Sequence, residues 1–294
     1  MTVTQSIHDH PPLEVTPIGA MGARISGIDI SNPLDEPTRT ALREAYLAHH
    51  LITLPEQHLE PEQLTAFGRI FGDLESHVLE AYHHPDTPLV MVLSNVKKND
   101  KPIGLADAGT YWHSDVSYKE HPSATTVLYS LEIPSQGGDT LFTNMRAAYE
   151  ALPEATRTRL AGLRATHHYA QRYNRLAEEN KIRAPLNPKE LEQTPPVSHP
   201  VVRTHPDTGA KSLFVNPGFT VHIEGLPDDE SEALLQELFD HCLEDRFRFR
   251  YKWRVGDVVV WDNASVMHAA TSGELSPDQH RTLWRLVGSG DKPF

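Results

Sequence analysis

The chain has little of several features, and each shortage excludes a class of protein. Cys242 is its one cysteine, so no disulfide can form within the chain, which suits a reducing compartment. No apolar run is long enough to span a bilayer, and residues 1–12 lack the charged-then-apolar pattern of a signal peptide. We therefore expect a cytoplasmic protein with no membrane partner.

Basic residues are also scarce relative to acidic ones. The 27 Lys and Arg residues face 40 Asp and Glu residues, so the formal net charge is 27 − 40 = −13. Nucleic-acid-binding proteins usually show a basic balance, and we expect no nucleic-acid partner. The 294 residues, 38% of them hydrophobic, are sufficient for one large globular domain with a proper core.

Short strand-like segments outnumber helical ones. The strand-like segments lie at 14–30 (a strand pair), 51–55, 88–95, 123–133, 140–143, 199–205, 211–216, 246–253, 256–263 and 281–288. The helical segments lie at 35–50, 60–73, 145–152, 153–163 and 228–245. Because strands do not alternate regularly with helices, the pattern favours a mainly β sandwich or jelly roll with flanking helices.

The domain organisation follows from the same pattern. We expect a single domain over residues 1–294, since no linker divides the chain, with a flexible tail at 1–12. Residues 172–197 are polar, contain four prolines and have no clear period. Long aperiodic segments inside compact domains are often lids, so we predict a lid at 172–197.

A candidate metal site begins with "GTYWHSDVSY" at 109–118. His113 and Asp115 are two residues apart, and in a strand such residues point to the same side. His268 follows a very apolar strand in "GDVVVWDNASVMHAATSG" at 256–273. Two histidines and a carboxylate form the facial triad of non-haem Fe(II) oxygenases. Zinc hydrolases use the same ligands, so these residues alone do not decide the metal.

Two arginines follow the last of these histidines. Arg281 and Arg285 are four residues apart, which places both on one face of a strand. They could be a solvated pair, but the apolar residues between and after them favour a buried strand. A buried guanidinium needs an anion, and it binds carboxylate or sulfonate with two parallel hydrogen bonds.

Several motifs together resemble a known family. They are "WHSDVSY", "IPSQGGDTLFTNMRAAYEAL", "VRTHPDTGAKSLFVN", "GDVVVWDN....H" and "RTLWRLVGSGDKPF". Each is weak alone, but in this order and spacing the chain resembles the taurine dioxygenase / 2,4-dichlorophenoxyacetate dioxygenase family of Fe(II)- and 2-oxoglutarate-dependent enzymes. The resemblance extends from about residue 14 to the end of the chain.

The resemblance implies a fold and a set of roles. The fold would be a double-stranded β-helix, which is a cupin-like jelly roll. His113, Asp115 and His268 would bind Fe(II), and O2 would be the oxidant. Arg281 would pair with the distal carboxylate of the cosubstrate 2-oxoglutarate, and Thr140 would add a hydrogen bond to it.

The resemblance also implies where a substrate would bind. Arg285 stands where members that act on sulfonates hold the anionic group, and His77 stands where they place a substrate-contacting histidine. Gly109 replaces an asparagine of taurine-cleaving members, and Glu80 replaces a tyrosine. The loop before Arg281 is two residues longer than in those members. These departures place the taurine pocket in doubt, although the metal and cosubstrate residues match well.

The expected function is hydroxylation of a small anionic organic substrate, with release of succinate and CO2. The substrate would be a sulfonate, an alkyl sulfate, or an aryloxy or other carboxylate. The alternatives are taurine dioxygenase proper, a zinc-dependent hydrolase, and a non-catalytic jelly-roll binding protein. A halogenase of related fold would need a small residue in place of Asp115. We also expect a homo-oligomer, either a dimer or a tetramer.

Overall fold

The computed structural model of the protein describes residues 13–77, 79–170, 173–174, 186, 188–192 and 194–294. The predicted tail at 1–12 and most of the predicted lid at 172–197 lie outside the described residues. The lid therefore stays a prediction.

The described strands, in chain order, are β1 (Glu14–Pro17), β2 (Ala23–Ser26), β3 (Leu51–Leu54), β4 (Leu74–Glu75), β5 (Met91–Ser94), β6 (Lys97–Lys98), β7 (Lys101–Pro102), β8 (Thr125–Glu132), β9 (Thr140–Asn144), β10 (Arg164–His167), β11 (Val197–Pro200), β12 (Val202–Thr204), β13 (Lys211–Leu213), β14 (Thr220–Ile223), β15 (Arg248–Tyr251), β16 (Val258–Asp262), β17 (Val266–Ala270) and β18 (Thr282–Gly288). The described helices are α1 (Glu36–His49), α2 (Pro61–Gly68), α3 (Met145–Ala151), α4 (Glu154–Leu160), α5 (Pro188–Glu192) and α6 (Asp228–Cys242).

Most of the strands belong to two facing sheets. The larger sheet has the order β1-β2-β3-β16-β8-β18-β4, and β5 also pairs with β18. The second sheet has the order β15-β9-β17. Apart from the parallel β2–β3 pair, the pairs in both sheets are antiparallel. Smaller sheets are β11-β10-β14, β12-β13 and β6-β7. This is the predicted mainly β architecture.

Alternation along the strands builds a layered core. On β16, Val258 and Val260 join the cluster that packs against α1 and α2, while Val259 and Trp261 join the cluster between the sheets. Such a strand is buried on both faces and therefore reads as a continuous apolar run. On β17, Met267 packs toward α3 and α6 on the far side. The layers are therefore helices, sheet, interior, sheet, helices.

Capping residues that are visible in the sequence determine where some helices begin. Asp35 caps α1 by accepting a hydrogen bond from the Thr38 backbone N–H at 2.9 Å, as Asp at this position predicts. The predicted helix at 60–73 is shorter than expected, because α2 ends at Gly68 and continues as a 3₁₀ turn over Arg69–Phe71.

Some strand predictions need correction. The segment 199–205 is not one strand: β11 pairs with β10, whereas β12 pairs with β13 in a different sheet. Strands β4, β6, β7, β10, β14 and β17 were not predicted, because each of them has at most five residues. In 246–253 the predicted alternation holds, with buried aromatic and exposed basic side chains, but Phe247 lies in a 3₁₀ turn before β15.

Candidate metal centre and its pocket

His268 reaches the interior from the second sheet. It lies within β17, not in a turn after β16 as the sequence suggested. Val266 and His268 face the interior, since Met267 between them faces the helices. The ring of His268 lies 4.6 Å from that of Trp261 and 6.0 Å from that of Phe142, between centroids.

His113 and Asp115 converge by a turn and not by strand alternation. His113 forms a single β-bridge with His268, with reciprocal N–H···O=C hydrogen bonds of 2.9 Å. Asp115 lies in the turn that follows, where Val116 has φ of 58°. A β-branched residue in the left-handed region is uncommon and is often found at functional sites. The two side chains do meet, but a turn brings them together, and not the strand alternation that was assumed from the sequence.

The three side chains form a compact donor set. His113 Nε2 lies 3.5 Å from Asp115 Oδ1, and His268 Nε2 lies 3.8 Å from Asp115 Oδ2. One ligand atom from each of these buried residues lies within 4.8 Å of the others, close enough to share one metal ion. Within the described part of the chain, no other group of three His, Cys, Asp or Glu residues meets that condition.

The protonation of these side chains suits a metal. His113 Nδ1 donates to the Tyr111 carbonyl at 2.8 Å, and Nε2 is the ring nitrogen that faces the carboxylate. Burial, with a smaller contribution from His113, lowers the pKa of His268 to about 3, so its ring is neutral. Two imidazoles and one carboxylate are a donor set that fits a divalent first-row metal.

Asp115 is held as a carboxylate by its surroundings. Burial alone would raise its pKa, but the charge of Arg285 and the contacts with His268 and His113 hold the pKa well below its usual range. Arg285 donates from Nη2 to Oδ1 at 2.6 Å, and Thr126 donates from Oγ1 to Oδ2 at 2.6 Å. Each oxygen therefore has one protein donor and retains a lone pair.

The triad forms one wall of a pocket whose free space, including the part open to solvent, is about 410 Å³. The side chains and backbone that line it are those of Leu93, Ala108, Gly109, His113, Asp115, Leu128, Thr140, Trp261, His268, Ala270, Arg281 and Arg285. Apolar walls with a few convergent polar groups are typical of small-molecule sites. Sequence reasoning missed Leu128 and Trp261, although both occupy inward positions of apolar strands.

Arg281 and Thr140 bring polar groups into this pocket. Burial lowers the pKa of Arg281 to about 10, so the guanidinium remains charged at neutral pH. Its Nε donates to the Gly138 carbonyl at 2.8 Å, which fixes the direction of the group. Thr140 Oγ1 accepts from Trp253 Nε1 at 3.0 Å, and because indole only donates, the Thr140 hydroxyl proton is left for another partner.

The four residues that were predicted to contact substrate differ in their position relative to the pocket. Arg285 and Gly109 line the pocket. His77 lies near Arg285 and Asp115, and burial, followed by the charge of Arg285, lowers its pKa to about 3. Its Nδ1 accepts from the Leu79 backbone N–H at 3.2 Å, so Nε2 carries the proton. Glu80 is exposed, begins a 3₁₀ turn and does not line the pocket.

Comparison with known proteins identifies the class. A family model described as "Taurine catabolism dioxygenase TauD, TfdA family" matches residues 14–287. A putative alpha-ketoglutarate-dependent sulfonate dioxygenase of Schizosaccharomyces pombe is 32% identical over 280 residues, covering 93% of this chain and 68% of the relative. An (S)-phenoxypropionate/alpha-ketoglutarate-dioxygenase of Sphingobium herbicidovorans is 34% identical over 287 residues, covering 96% of each chain.

A solved structure agrees with these relatives. The crystal structure of a putative alpha-ketoglutarate-dependent taurine dioxygenase from Burkholderia xenovorans superposes with a TM-score of 0.80 at 33% identity, covering 96% of this chain and 94% of the other. The chain therefore belongs to the TauD, TfdA family of dioxygenases and is an oxidoreductase with a jelly-roll fold. The family, fold and enzyme class predicted from the sequence are confirmed. In the described residues no helix is both long and apolar enough to cross a membrane.

Proposed function

We propose that this chain binds Fe(II) through His113, Asp115 and His268 and couples decarboxylation of 2-oxoglutarate to hydroxylation of a small anionic substrate. One observation carries the proposal. Three metal-ligand atoms within 4.8 Å of one another form a wall of the pocket that also contains the buried guanidinium of Arg281. A metal site and an anion site thus share one pocket.

The bound iron supplies redox chemistry with O2, while the protein supplies binding and orientation. Arg281 and Thr140 are proposed to hold the distal carboxylate of 2-oxoglutarate. A buried guanidinium binds carboxylate strongly, and the free hydroxyl proton of Thr140 adds a second kind of donor. The Gly138 carbonyl fixes the direction of the guanidinium, because it accepts a hydrogen bond from Nε.

Arg285 and His77 are proposed to hold the anionic group of the substrate. Arg285 was expected to pair with the anionic group of a substrate, and in the structure its Nη2 already pairs with Asp115. Among the described residues, its Nη1 makes only a long contact of 4.0 Å with the Met91 sulfur, so we take this nitrogen to be available to an anion. His77 adds a neutral donor at Nε2, which avoids a third positive charge.

The substrate class follows from this pairing. A guanidinium and an imidazole N–H accept sulfonate, sulfate or carboxylate oxygens. Relatives whose names include sulfonate and phenoxypropionate support an anionic substrate for this chain as well. The proposed product of hydroxylation next to a sulfonate, sulfate ester or ether oxygen is unstable, and it collapses to a carbonyl compound and a leaving group.

Taurine itself is not the proposed substrate. Gly109 has φ of +66°, and a Cβ built there would lie 2.8 Å from Cε1 of His113. An asparagine at this position would therefore displace the His113 ring or need a different backbone. Glu80 is exposed and does not replace the missing polar group in the pocket. Family membership argues against the zinc hydrolase and the non-catalytic jelly roll. The homo-oligomer and the cytoplasmic location stay predictions.

The test of this proposal is substrate-stimulated succinate formation. The purified protein is incubated with Fe(II), 2-oxoglutarate and air, and with a panel of sulfonates, alkyl sulfates, aryloxy acids, other carboxylates and taurine, beside neutral and cationic compounds of similar size. We expect succinate to require Fe(II) and to rise several-fold with at least one anionic compound. A neutral or cationic compound that stimulates better than every anion would contradict the substrate class. Omission of Fe(II) without effect would contradict the metal assignment.

A further inference from the structure

A chain of three hydrogen bonds runs from Trp261 to Asp115, and its two middle residues lie outside the pocket lining. Trp261 Nε1 donates to Asn263 Oδ1 at 3.0 Å, and Asn263 Nδ2 donates to Thr126 Oγ1 at 2.9 Å. Thr126 Oγ1 then donates to Asp115 Oδ2 at 2.6 Å. Neither Thr126 nor Asn263 lines the pocket.

The donor and acceptor roles in these hydrogen bonds are fixed by Trp261, the first residue of the series. An indole N–H can only donate, so the Asn263 amide must present its oxygen to Trp261 and its NH2 group to Thr126. The Thr126 oxygen thereby accepts a hydrogen bond, and its own proton is directed to Asp115. A carboxylate oxygen is the acceptor that this arrangement requires, and charge-assisted hydrogen bonds of this kind are short.

The three residues that lead to Asp115 through these hydrogen bonds are buried and cannot move easily. Thr126 is 0% exposed, and Asn263 and Trp261 are each 1% exposed. Trp261 lies in β16 next to its last residue and pairs with Thr126 on β8. The Asn263 carbonyl also accepts from Ser114 Oγ at 3.1 Å, so the same segment holds the residue next to Asp115.

The two donors to Asp115 differ in their access to ligands. Arg285 lines the pocket, so a substrate can reach its guanidinium. Thr126 is enclosed on the opposite side, where no ligand competes for its hydroxyl. An orientation that depends on Thr126 therefore persists when the contacts of Arg285 change.

We propose that Thr126 is a positioning residue of the metal centre: its hydroxyl, oriented by Asn263 and Trp261, holds Oδ2 of Asp115 so that the carboxylate keeps one orientation toward the metal. This inference rests on the proposed function, because it takes Asp115 to be a metal ligand. Partners of metal ligands typically contribute 10–100-fold to metal affinity.

The experiment compares Mn(II) affinity, which requires no turnover, measured by titration of the free Mn(II) electron paramagnetic resonance signal. Thr126→Val removes the hydroxyl with little change of shape, and we expect roughly 10–100-fold weaker binding. Thr126→Ser restores the hydroxyl and should bind within about threefold of the unmodified protein. If Thr126→Val does not fold, judged by circular dichroism, Thr126→Ala removes the same hydroxyl.

The matched control is Thr143→Val. Thr143 is also 0% exposed on a strand, and its hydroxyl donates to the Cys242 carbonyl at 2.5 Å. Its loss should lower stability without changing Mn(II) affinity. Unchanged affinity in Thr126→Val, or an equal loss in Thr143→Val, would overturn the role of Thr126. If Asp115→Ala binds Mn(II) as tightly as the unmodified protein, the proposed metal centre itself fails.

Discussion

Arg285 donates from Nη2 to Oδ1 of Asp115 across 2.6 Å, although 170 positions separate the two residues in the chain. The arginine proposed to hold the substrate and the carboxylate proposed to hold the metal are therefore one ion pair. Both partners are largely buried, with side-chain exposures of 11% and 5%. Substrate recognition and metal binding are thus connected through a single contact.

Arg285→Gln should impair the reaction with substrate more than the reaction without it. Truncating one partner of a buried charge pair costs ~2–5 kcal/mol, so kcat/KM for the best anionic substrate should fall at least tens of fold. Slow succinate formation without substrate should survive. Arg248→Gln, which changes an arginine 43% exposed on β15, is the control and should leave both rates unaltered. An unaltered kcat/KM in Arg285→Gln would refute an anion at this site.

Arg281→Ala should raise the 2-oxoglutarate requirement far more than the iron requirement. The guanidinium is 5% exposed and charged, so loss of its pairing with a carboxylate costs ~2–5 kcal/mol, or tens to thousands of fold in affinity. The measurement is KM for 2-oxoglutarate beside the Fe(II) concentration for half-maximal rate. A variant whose KM matches that of the unmodified protein would show that 2-oxoglutarate binds elsewhere.

Gly109→Ala should weaken metal binding through His113. The positive φ of +66° makes any side chain costly by roughly 1–2 kcal/mol, and the new methyl group would press on Cε1 of the ring at 2.8 Å. Gly162→Ala is the matched control, because Gly162 has φ of +81° with nothing within 4 Å of an added Cβ. Both variants should lose stability, but only Gly109→Ala should lose Fe(II) affinity. Equal Fe(II) affinity in the two variants would count against contact with the ring.

Stability should decline in mild acid because of His167 and His199. Burial lowers the pKa of His167 to about 3 and that of His199 to about 4, so both rings are neutral in the folded protein. The unfolded chain takes up these protons near pH 6.5, and the folded protein does so only near pH 3–4. Each ring should therefore remove on the order of 1.4 kcal/mol per pH unit as pH falls from about 6 to about 4.

The check is the free energy of unfolding between pH 7 and pH 4.5, obtained from urea titrations. His167→Phe should reduce the slope of stability against pH, since one depressed group is gone. His58→Phe, at an exposed position, should leave the slope as it is. An identical slope in His167→Phe and the unmodified protein would mean that the buried ring does not stay neutral.

The fold was predictable where local signals agree. Asp35 as a helix cap, and the apolar runs of β3 and β16, are visible in the sequence and were located correctly. The strand β17 was missed because the segment after β16 was interpreted as a turn that reaches His268, and the five residues Val266–Ala270 are too few to show a clear alternation. Its identity depends on pairing with β9, a contact between distant segments.

The site, too, was predictable in part from the sequence. Motif spacing predicted which residues meet, and His113, Asp115, His268 and Arg281 do lie together. The sequence did not reveal that Asp115 would be held by Arg285 and Thr126, because side-chain pairs between separate segments have no local pattern. Glu80, predicted to contact substrate from its aligned position alone, is exposed outside the pocket.

The most direct test of the account is the fate of ¹⁸O2 in single-turnover mixtures of the protein, Fe(II), 2-oxoglutarate and the best anionic substrate. The account predicts one ¹⁸O atom in succinate, detected by mass spectrometry, and none above background from Asp115→Ala or His268→Ala. Unlabelled succinate from the unmodified protein, or labelled succinate at an undiminished rate from Asp115→Ala, would contradict it.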